Sequence, residues 1–318
     1  MAVYTHLGAE DLAQLIAHYD VGRLLSFKGI AEGVSNSNWL LETTQGRFTL
    51  TMYERRIETD DLPFFLGLLD HLSAANCPVP RTIHDCDGAA YRMVDGKAVA
   101  LIEFLPGLSP STPTEAQARS VGAALGQMHR AAQDYPGTRN STLEPQDTLK
   151  ILDQCGTDAL AGIDPALPDI LPIGARIVAD WPEHLPGSII HSDLFPDNVL
   201  MLGDEVTGMI DFYFAATGAM AYDLAVTHAA WCFDDTGEAC DPALGAALIA
   251  GYESLRPLSD DERAALPLLA QGACLRFIAS RAQDWLETPE DALVRRKDPM
   301  DFMRRLEFYR ANGQSAFA

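Results

Sequence analysis

The apolar pattern of this chain changes near residue 110, and the change limits the possible folds more than any other feature. Before it, helices are predicted at residues 9–20 and 60–75, with short extended segments at 24–31, 38–43, 47–53, 81–85, 91–94 and 98–105. After it, helical spacing prevails at residues 114–132, 220–232, 242–254, 260–288 and 300–311. The sequence therefore predicts an α+β fold with a sheet in its first part and a mainly helical remainder.

The segment between the two parts, residues 104–113, is rich in proline, glycine and serine. Such a composition is typical of a hinge and not of a buried helix or strand. We therefore predict a first lobe at residues 1–105, a hinge at 106–113 and a second lobe at 114–318. With 318 residues, the chain is long enough for each lobe to bury a core.

A formal net charge of −22 disfavours several classes of partner. The surplus of carboxylates repels phosphate backbones and anionic lipids, so we expect neither nucleic acid nor a membrane as a partner. The chain has no run of about 18 uncharged apolar residues, and its first residues do not have the pattern of a signal peptide. Its six cysteines lack the spacing of metal ligands. These features predict a cytoplasmic protein with reduced thiols.

The polar residues 191–198, which read HSDLFPDN, lie between two short apolar segments, and Asp211 follows a third. This spacing is that of a kinase catalytic loop and its metal-binding aspartate. Phosphoryl transfer needs a carboxylate that orients the attacking hydroxyl and accepts its proton, which predicts Asp193 as the catalytic base. It also needs oxygen ligands for Mg²⁺, which predicts Asn198 and Asp211. Taken singly, these residues could equally make turn hydrogen bonds. His191 is interpreted as a buried organiser of the loop.

Two segments of the first lobe are candidates for binding ATP. Residues 33–38 are small and polar and could bring backbone N–H groups to the phosphates, although such clusters are often ordinary turns. The last predicted strand of the lobe runs into the hinge, where its backbone could contact the adenine. The predicted nucleotide-binding residues are Gly33, Ser35, Asn36 and Ser37 in the first segment, and Glu103 and Leu105 in the second.

These motifs, together with residues 50–54, 61–65, 222–225, 230–232, 275–281 and 297–299, resemble the homoserine kinases. That family lies in the aminoglycoside-phosphotransferase-like branch of the protein-kinase-like fold, and the resemblance covers nearly the whole chain. It implies a bilobal fold with a small antiparallel N-terminal lobe and a larger helical C-terminal lobe. It also implies ATP and Mg²⁺ as cofactors and L-homoserine as the substrate, with O-phospho-L-homoserine formed for threonine biosynthesis.

One position departs from the wider kinase pattern. Thr51 occupies the place of the phosphate-pairing lysine in the third predicted strand, and the homoserine-kinase pattern itself carries a threonine there. Lys28 and Arg55 are candidates for the missing phosphate cation, and each could equally have an ordinary surface role. The missing lysine favours a catalytically silent nucleotide-binding protein as an alternative, although the intact set of Asp193, Asn198 and Asp211 weighs against it. Within the enzyme class, the alternative is a kinase of another small alcohol, such as an aminoglycoside- or choline-like compound.

An amino-acid substrate requires partners for its carboxylate and its ammonium. The planar fork of arginine suits a carboxylate, and a predicted helix carries two arginines among apolar residues. These arginines could instead pair with Asp284 or Glu287, and the candidates for the ammonium could be core residues. The predicted substrate-binding residues are Arg276 and Arg281 for the carboxylate, and Asp223, Tyr213 and Trp231 for the ammonium. The oligomeric state is left open.

Overall fold

The computed structural model describes residues 7–30, 36–54, 57–289 and 296–318. It divides the chain into two compact units. The first comprises Met1–Gly107 with Thr207–Tyr213, and the second comprises Leu108–Val206 with Phe214–Ala318. The predicted lobe limits and the hinge at residues 106–113 stay a prediction.

The first unit is built on an antiparallel sheet. Its strands are β1 (Leu24–Ile30), β2 (Asn36–Thr43), β3 (Gly46–Tyr53), β4 (Thr82–Ile83), β5 (Arg92–Val94) and β6 (Lys97–Glu103), and its helices are α1 (Ala9–Ile16) and α2 (Leu62–Ala74). The strand order is β1-β2-β3-β6-β4, and β5 pairs with β6. A two-residue turn joins β2 to β3, where Thr43 lies opposite Gly46.

Alternation along the strands gives this sheet two buried faces. On one face, Leu50 and Leu101 belong to an apolar cluster that includes Leu12 and Ile16 of α1. On the other face, Tyr53, Ala100 and Ile102 belong to a cluster with Leu62 and Leu66 of α2. Thr51 of β3 is a polar residue buried within this sheet.

The second unit is mainly helical. Its helices are α3 (Glu115–Ala132), α4 (Pro145–Cys155), α5 (Thr157–Ile163), α6 (Ile170–Ala179), α7 (Met220–Trp231), α8 (Pro242–Leu255), α9 (Asp260–Glu287) and α10 (Met300–Asn312). Short strands β7 (Gly187–Ile190) and β10 (Ala216–Ala219) pair with each other, as do β8 (Val199–Leu202) and β9 (Glu205–Met209). Capping boxes at Thr114 and Ser259 mark the N-terminal starts of α3 and α9.

Glycines allow α3 and α8 to approach closely. A Cβ atom on Gly122 would lie 2.0 Å from the carbonyl oxygen of Leu248, and one on Gly251 would lie 2.0 Å from that of Arg119. Because backbone atoms cannot yield as a side chain does, any larger residue would force the helices apart. This contact fixes the distance between two helices that carry polar residues behind the candidate site.

The predicted α+β class is confirmed, and the predicted helices and strands agree with the structure within a few residues. The sequence did not single out α4, α5 and α6, because proline, glycine and aspartate interrupt the apolar spacing between residues 136 and 170. Among the described residues, no helix has both the length and the apolar character needed to cross a membrane.

Candidate active site

The predicted catalytic loop follows β7 in the second unit. His191 and Leu194 are fully buried, and they anchor the loop on either side of Ser192 and Asp193. Ser192 has a φ of +66°, in the left-handed region that residues other than glycine rarely adopt. Strain of this kind persists only where surrounding contacts impose it, and it is common at functional sites. The contacts that hold the loop therefore matter as much as the loop itself.

Asp223 of α7 holds the backbone of this loop. The amide of His191 donates to its Oδ2 at 2.6 Å, and the amide of Ser192 donates to its Oδ1 at 2.7 Å. His129 adds its Nε2 at 3.0 Å from Oδ2. Burial alone would raise the pKa of Asp223, but the hydrogen bonds and charges of His129 and His191 lower it below its ordinary value. Asp223 is therefore an ionised acceptor inside the unit.

The residues behind Asp223 were not predicted from the sequence. His129 of α3 is fully buried, and its Nδ1 lies 2.8 Å from the hydroxyl of Tyr252 in α8. A signal for His129 existed, since Val121, Leu125 and His129 recur at intervals of four and so share the buried face of α3. No such spacing signal identifies Tyr252 as its partner.

The carboxylate of Asp193 is held on both oxygens. Nη2 of Arg276 lies 3.4 Å from Oδ1, and Nδ2 of Asn198 donates to Oδ2 at 3.3 Å and to the backbone carbonyl at 2.8 Å. The backbone amide of Asp193 donates to Nδ1 of His191 at 3.2 Å. This supports the predicted organising role of His191, and the side chain of Asp193 still keeps 18% of its surface exposed. The carboxylate is thus oriented without being closed off.

Burial raises the pKa of Asp193 above the ordinary range of an aspartate. The positive charge of Arg276 opposes this shift most strongly, followed by His191. Asp197 raises the pKa further, whereas Lys297 lowers it. A carboxylate with a raised pKa is a stronger base, provided that enough of it is ionised at the working pH.

Asn198 keeps its side-chain oxygen available, and its role as a metal ligand stays a prediction. Its amide nitrogen is used by Asp193, and no described residue donates to its Oδ1. An amide carbonyl is a ligand that Mg²⁺ accepts. Within the described ranges, no group of three or more His, Cys, Asp and Glu side chains could hold a metal ion. A site of few protein ligands is what Mg²⁺ uses when phosphates complete its coordination.

Asp211 lies in the first unit, just after β9, and it too has a φ of +66°. The tyrosine two residues on, Tyr213, donates its hydroxyl to that of Tyr53 at 3.3 Å. Burial raises the pKa of Tyr53 to about 12, and the nearby charge of Asp211 adds to the increase. Tyr213 therefore belongs to a buried pair of hydroxyls near Asp211, and its predicted contact with a substrate ammonium stays a prediction.

The position of the missing lysine is filled by neutral groups. Thr51 donates its hydroxyl to Asn38 at 2.8 Å. In the same sheet, Lys97 of β6 forms an ion pair with Glu54, and Ser37 donates to the same carboxylate at 2.7 Å. Lys97 and Glu54 were not identified from the sequence, because they lie outside the motif spacing.

The structure describes only some of the predicted nucleotide-binding residues. Asn36 and Ser37 are buried at the start of β2, whereas Gly33, Ser35 and the cation candidate Arg55 lie outside the described residues. The other cation candidate, Lys28, is exposed on β1.

The last strand of the sheet leads into the second predicted ATP-binding segment. Glu103 ends β6 and accepts from the amide of Arg81 at 3.4 Å, and Leu105 follows two residues later, half-buried. Their backbone role toward adenine stays a prediction.

The substrate-binding candidates of the second unit all have partners within it. Trp231 donates to the carbonyl of Leu194 at 2.8 Å, and Arg281 binds the carboxylate of Asp301 at 2.8 Å. Arg276 binds the catalytic loop, not Asp284 or Glu287. Trp231, Arg276 and Asp223 are buried and engaged with the loop. Their placement gives no support to direct substrate contact, which stays a prediction for each.

Comparisons with known sequences place this site in context. The model of the phosphotransferase enzyme family matches residues 26–258. A homoserine kinase of Granulibacter bethesdensis is 46% identical over 97% of this chain and 97% of its own length. One of Acidiphilium cryptum is 46% identical over 99% of both chains, and one of Methylobacterium radiotolerans is 46% identical over 98% of this chain and 96% of its own.

Solved structures share the fold at low identity. An amicoumacin kinase in complex with AMP-PNP, Ca²⁺ and amicoumacin has a TM-score of 0.71 at 15% identity, covering 97% of this chain and 94% of that one. A spectinomycin phosphotransferase in complex with ADP and spectinomycin has a TM-score of 0.73 at 14% identity, covering 98% and 100%. These similarities establish the protein-kinase-like fold and say nothing of the substrate of this chain.

Proposed function

Because the chain belongs to the phosphotransferase enzyme family and, within it, to the homoserine kinases, we propose that it transfers the γ-phosphoryl group of ATP to the side-chain hydroxyl of L-homoserine. The product is O-phospho-L-homoserine, formed for threonine biosynthesis. The observation that carries this proposal is the near full-length similarity to homoserine kinases. The cytoplasmic location predicted from the sequence is part of the same proposal.

Asp193 acts as the base in this reaction. The hydroxyl oxygen of homoserine forms the new bond to the γ-phosphorus, the bond to the bridging oxygen breaks, and ADP leaves with its electron pair. The proton of the hydroxyl goes to the carboxylate of Asp193. Support comes from the geometry of the loop, since both oxygens of Asp193 are oriented and the side chain keeps partial exposure.

Asn198 and Asp211 are the side chains that would hold Mg²⁺. Bound there, the ion would neutralise the charge that develops on the phosphate oxygens. The unused carbonyl oxygen of Asn198 supports its part. The backbone of residues 33, 35, 36 and 37 would contact the phosphates, and that of residues 103 and 105 would contact the adenine. These assignments follow from the motif and stay proposals.

The test of the proposed reaction is ATP turnover with L-homoserine, compared with choline and an aminoglycoside under the same conditions. We expect turnover with homoserine far above that with the other two alcohols. In the Asp193→Ala variant it should fall by about 10²–10⁴-fold, while ATP still binds. Asp197→Ala is the matched control, because this exposed carboxylate lies four residues away in the same loop. Turnover of Asp193→Ala within a few-fold of the control would contradict the role of the base.

The metal role is tested by titrating Mg²⁺ in the Asn198→Ala variant. Losing one ligand should raise the concentration of Mg²⁺ needed for half-maximal turnover by about tenfold, a modest effect because phosphates supply other ligands. The same Mg²⁺ dependence in the variant and the unmodified protein would remove Asn198 from the metal site.

A further inference from the structure

Arg276, in the middle of α9, contacts two consecutive residues of the catalytic loop. Its Nη1 donates to the carbonyl oxygen of Ser192, and its Nη2 lies 3.4 Å from Oδ1 of Asp193. Only 3% of its side chain is exposed. Because Ser192 has a strained backbone, an added donor on its carbonyl helps to keep the turn that presents Asp193.

Aromatic rings pack against this guanidinium. Its central carbon lies 5.0 Å from the ring centre of Phe214 and 4.7 Å from that of Phe277. Phe277 in turn packs edge-on against Phe195 of the loop, at 4.8 Å between ring centres. A planar cation packed against rings presents its donors as a rigid fork, which a flexible ammonium would not do.

From this geometry we infer that Arg276 is a positioning residue, which holds the Asp193 carboxylate in place and does not receive the carboxylate of the substrate. Both of its terminal nitrogens are engaged by the loop, and almost none of its surface is exposed. The inference rests on the proposed role of Asp193 as the base.

The experiment compares Arg276→Met and Arg276→Lys with the same two changes at Arg305. Arg305 is a matched control because it is also buried, lies 4.4 Å from the ring centre of Phe302, and donates to carbonyls of Ala229 and Asp234 away from the loop. We measure kcat and KM for homoserine at pH 7, and compare the position of the Asp193 carboxylate in crystal structures of the four variants.

For Arg276→Met we expect kcat at pH 7 to fall about 10²-fold, because the base is misplaced. The Asp193 carboxylate should leave its position, while KM for homoserine changes less than about threefold. Arg276→Lys keeps the charge without the fork, so kcat should still fall. Neither change at Arg305 should move the Asp193 carboxylate.

Three outcomes would overturn the inference. The first is a rise of about tenfold or more in KM for homoserine with kcat unchanged, as expected for a lost substrate contact. The second is an Asp193 carboxylate that keeps its position in the crystal structure of Arg276→Met. The third, which applies if that variant does not fold, is an unchanged kcat in Arg276→Lys. If the unmodified protein fails to phosphorylate homoserine, the proposed substrate is wrong, while the crystal structures still test Arg276 separately.

Discussion

Two buried histidines of the helical unit each have a tyrosine hydroxyl beside Nδ1, but their Nε2 atoms have different surroundings. His129 has the hydroxyl of Tyr252 at 2.8 Å from Nδ1 and the carboxylate of Asp223 at 3.0 Å from Nε2. His228 has the hydroxyl of Tyr309 at 2.7 Å from Nδ1. Its Nε2 is buried near the backbone of Ala316 without the geometry of a hydrogen bond.

The difference at Nε2 distinguishes a histidine that supports the catalytic loop from one that belongs only to the core. The His129 region, formed by His129, Tyr252 and Asp223, ends on the amides of the catalytic loop. The His228 region ends on apolar packing, since the His228 ring lies 4.6 Å from the ring of Phe317. Breaking the first region should leave buried polar groups unpaired and displace the base, whereas changing the second should affect stability alone.

The largest effect is expected for Asp223→Asn, which breaks the His129 region with little change in shape. An amide cannot accept from both loop amides and from His129, so one donor is left unpaired and buried. We expect a loss of about 3–5 kcal/mol in the free energy of unfolding and a fall of about 10²-fold in kcat. Urea denaturation and steady-state turnover measure the two quantities.

Asp241→Asn is the control for that change. Asp241 caps α8 by accepting from the amides of Ala243 at 2.9 Å and Leu244 at 3.4 Å, and it does not contact the loop. Because asparagine is also a good N-cap, its cost should stay below about 1 kcal/mol, with kcat unchanged. Equal effects of the two substitutions on kcat would show that the His129 region does not support the loop.

A second way to break the His129 region is to separate the helices that carry His129 and Tyr252. Gly122→Ala places a methyl group against the backbone of α8, which should cost about 1–3 kcal/mol of unfolding free energy and lower kcat. Gly162→Ala, in a helix with open space around it, should be neutral or stabilising by up to about 1 kcal/mol. Denaturation followed by circular dichroism compares them, and equal stabilities would refute the close approach of α3 and α8.

The smallest expected effect is the pH dependence that His228 gives to the free energy of unfolding. Burial lowers the pKa of His228 to about 4, from the ordinary value of 6.5. The unfolded chain therefore binds a proton on His228 below pH 6.5. The folded chain does not bind this proton until the pH falls to about 4. Stability present above pH 6.5 is thus lost as the pH falls through this window, by roughly 2 kcal/mol between pH 7 and pH 5.

The His228→Gln variant isolates this contribution, because glutamine does not titrate. Its unfolding free energy should fall less than that of the unmodified protein between pH 7 and pH 5, by about the amount that His228 contributes. The kcat of the two proteins should agree at pH 7, since the His228 region does not contact the loop. Parallel stability curves would mean that His228 binds its proton over the same pH range in the folded and the unfolded chain.

Much of the fold could be predicted from local pattern. The alternation of β2, β3 and β6 and the spacing of α3, α7 and α9 are properties of short segments, so they were visible without a structure. The motif also placed Asp193 and Asn198 five residues apart on one loop, where the structure brings their side chains together. The local pattern did not predict α4, α5 or α6, because their apolar spacing is interrupted.

By itself, then, the sequence determined most of the strands and helices, and which polar residues follow the apolar strands. The tertiary structure alone decided the partners of those residues. Arg276 meets Ser192 across 84 positions, His129 meets Tyr252 across 123, and Asp223 meets His191 across 32. Such pairings depend on how helices pack, down to the glycines that let α3 approach α8, and no periodicity within one helix encodes the position of another.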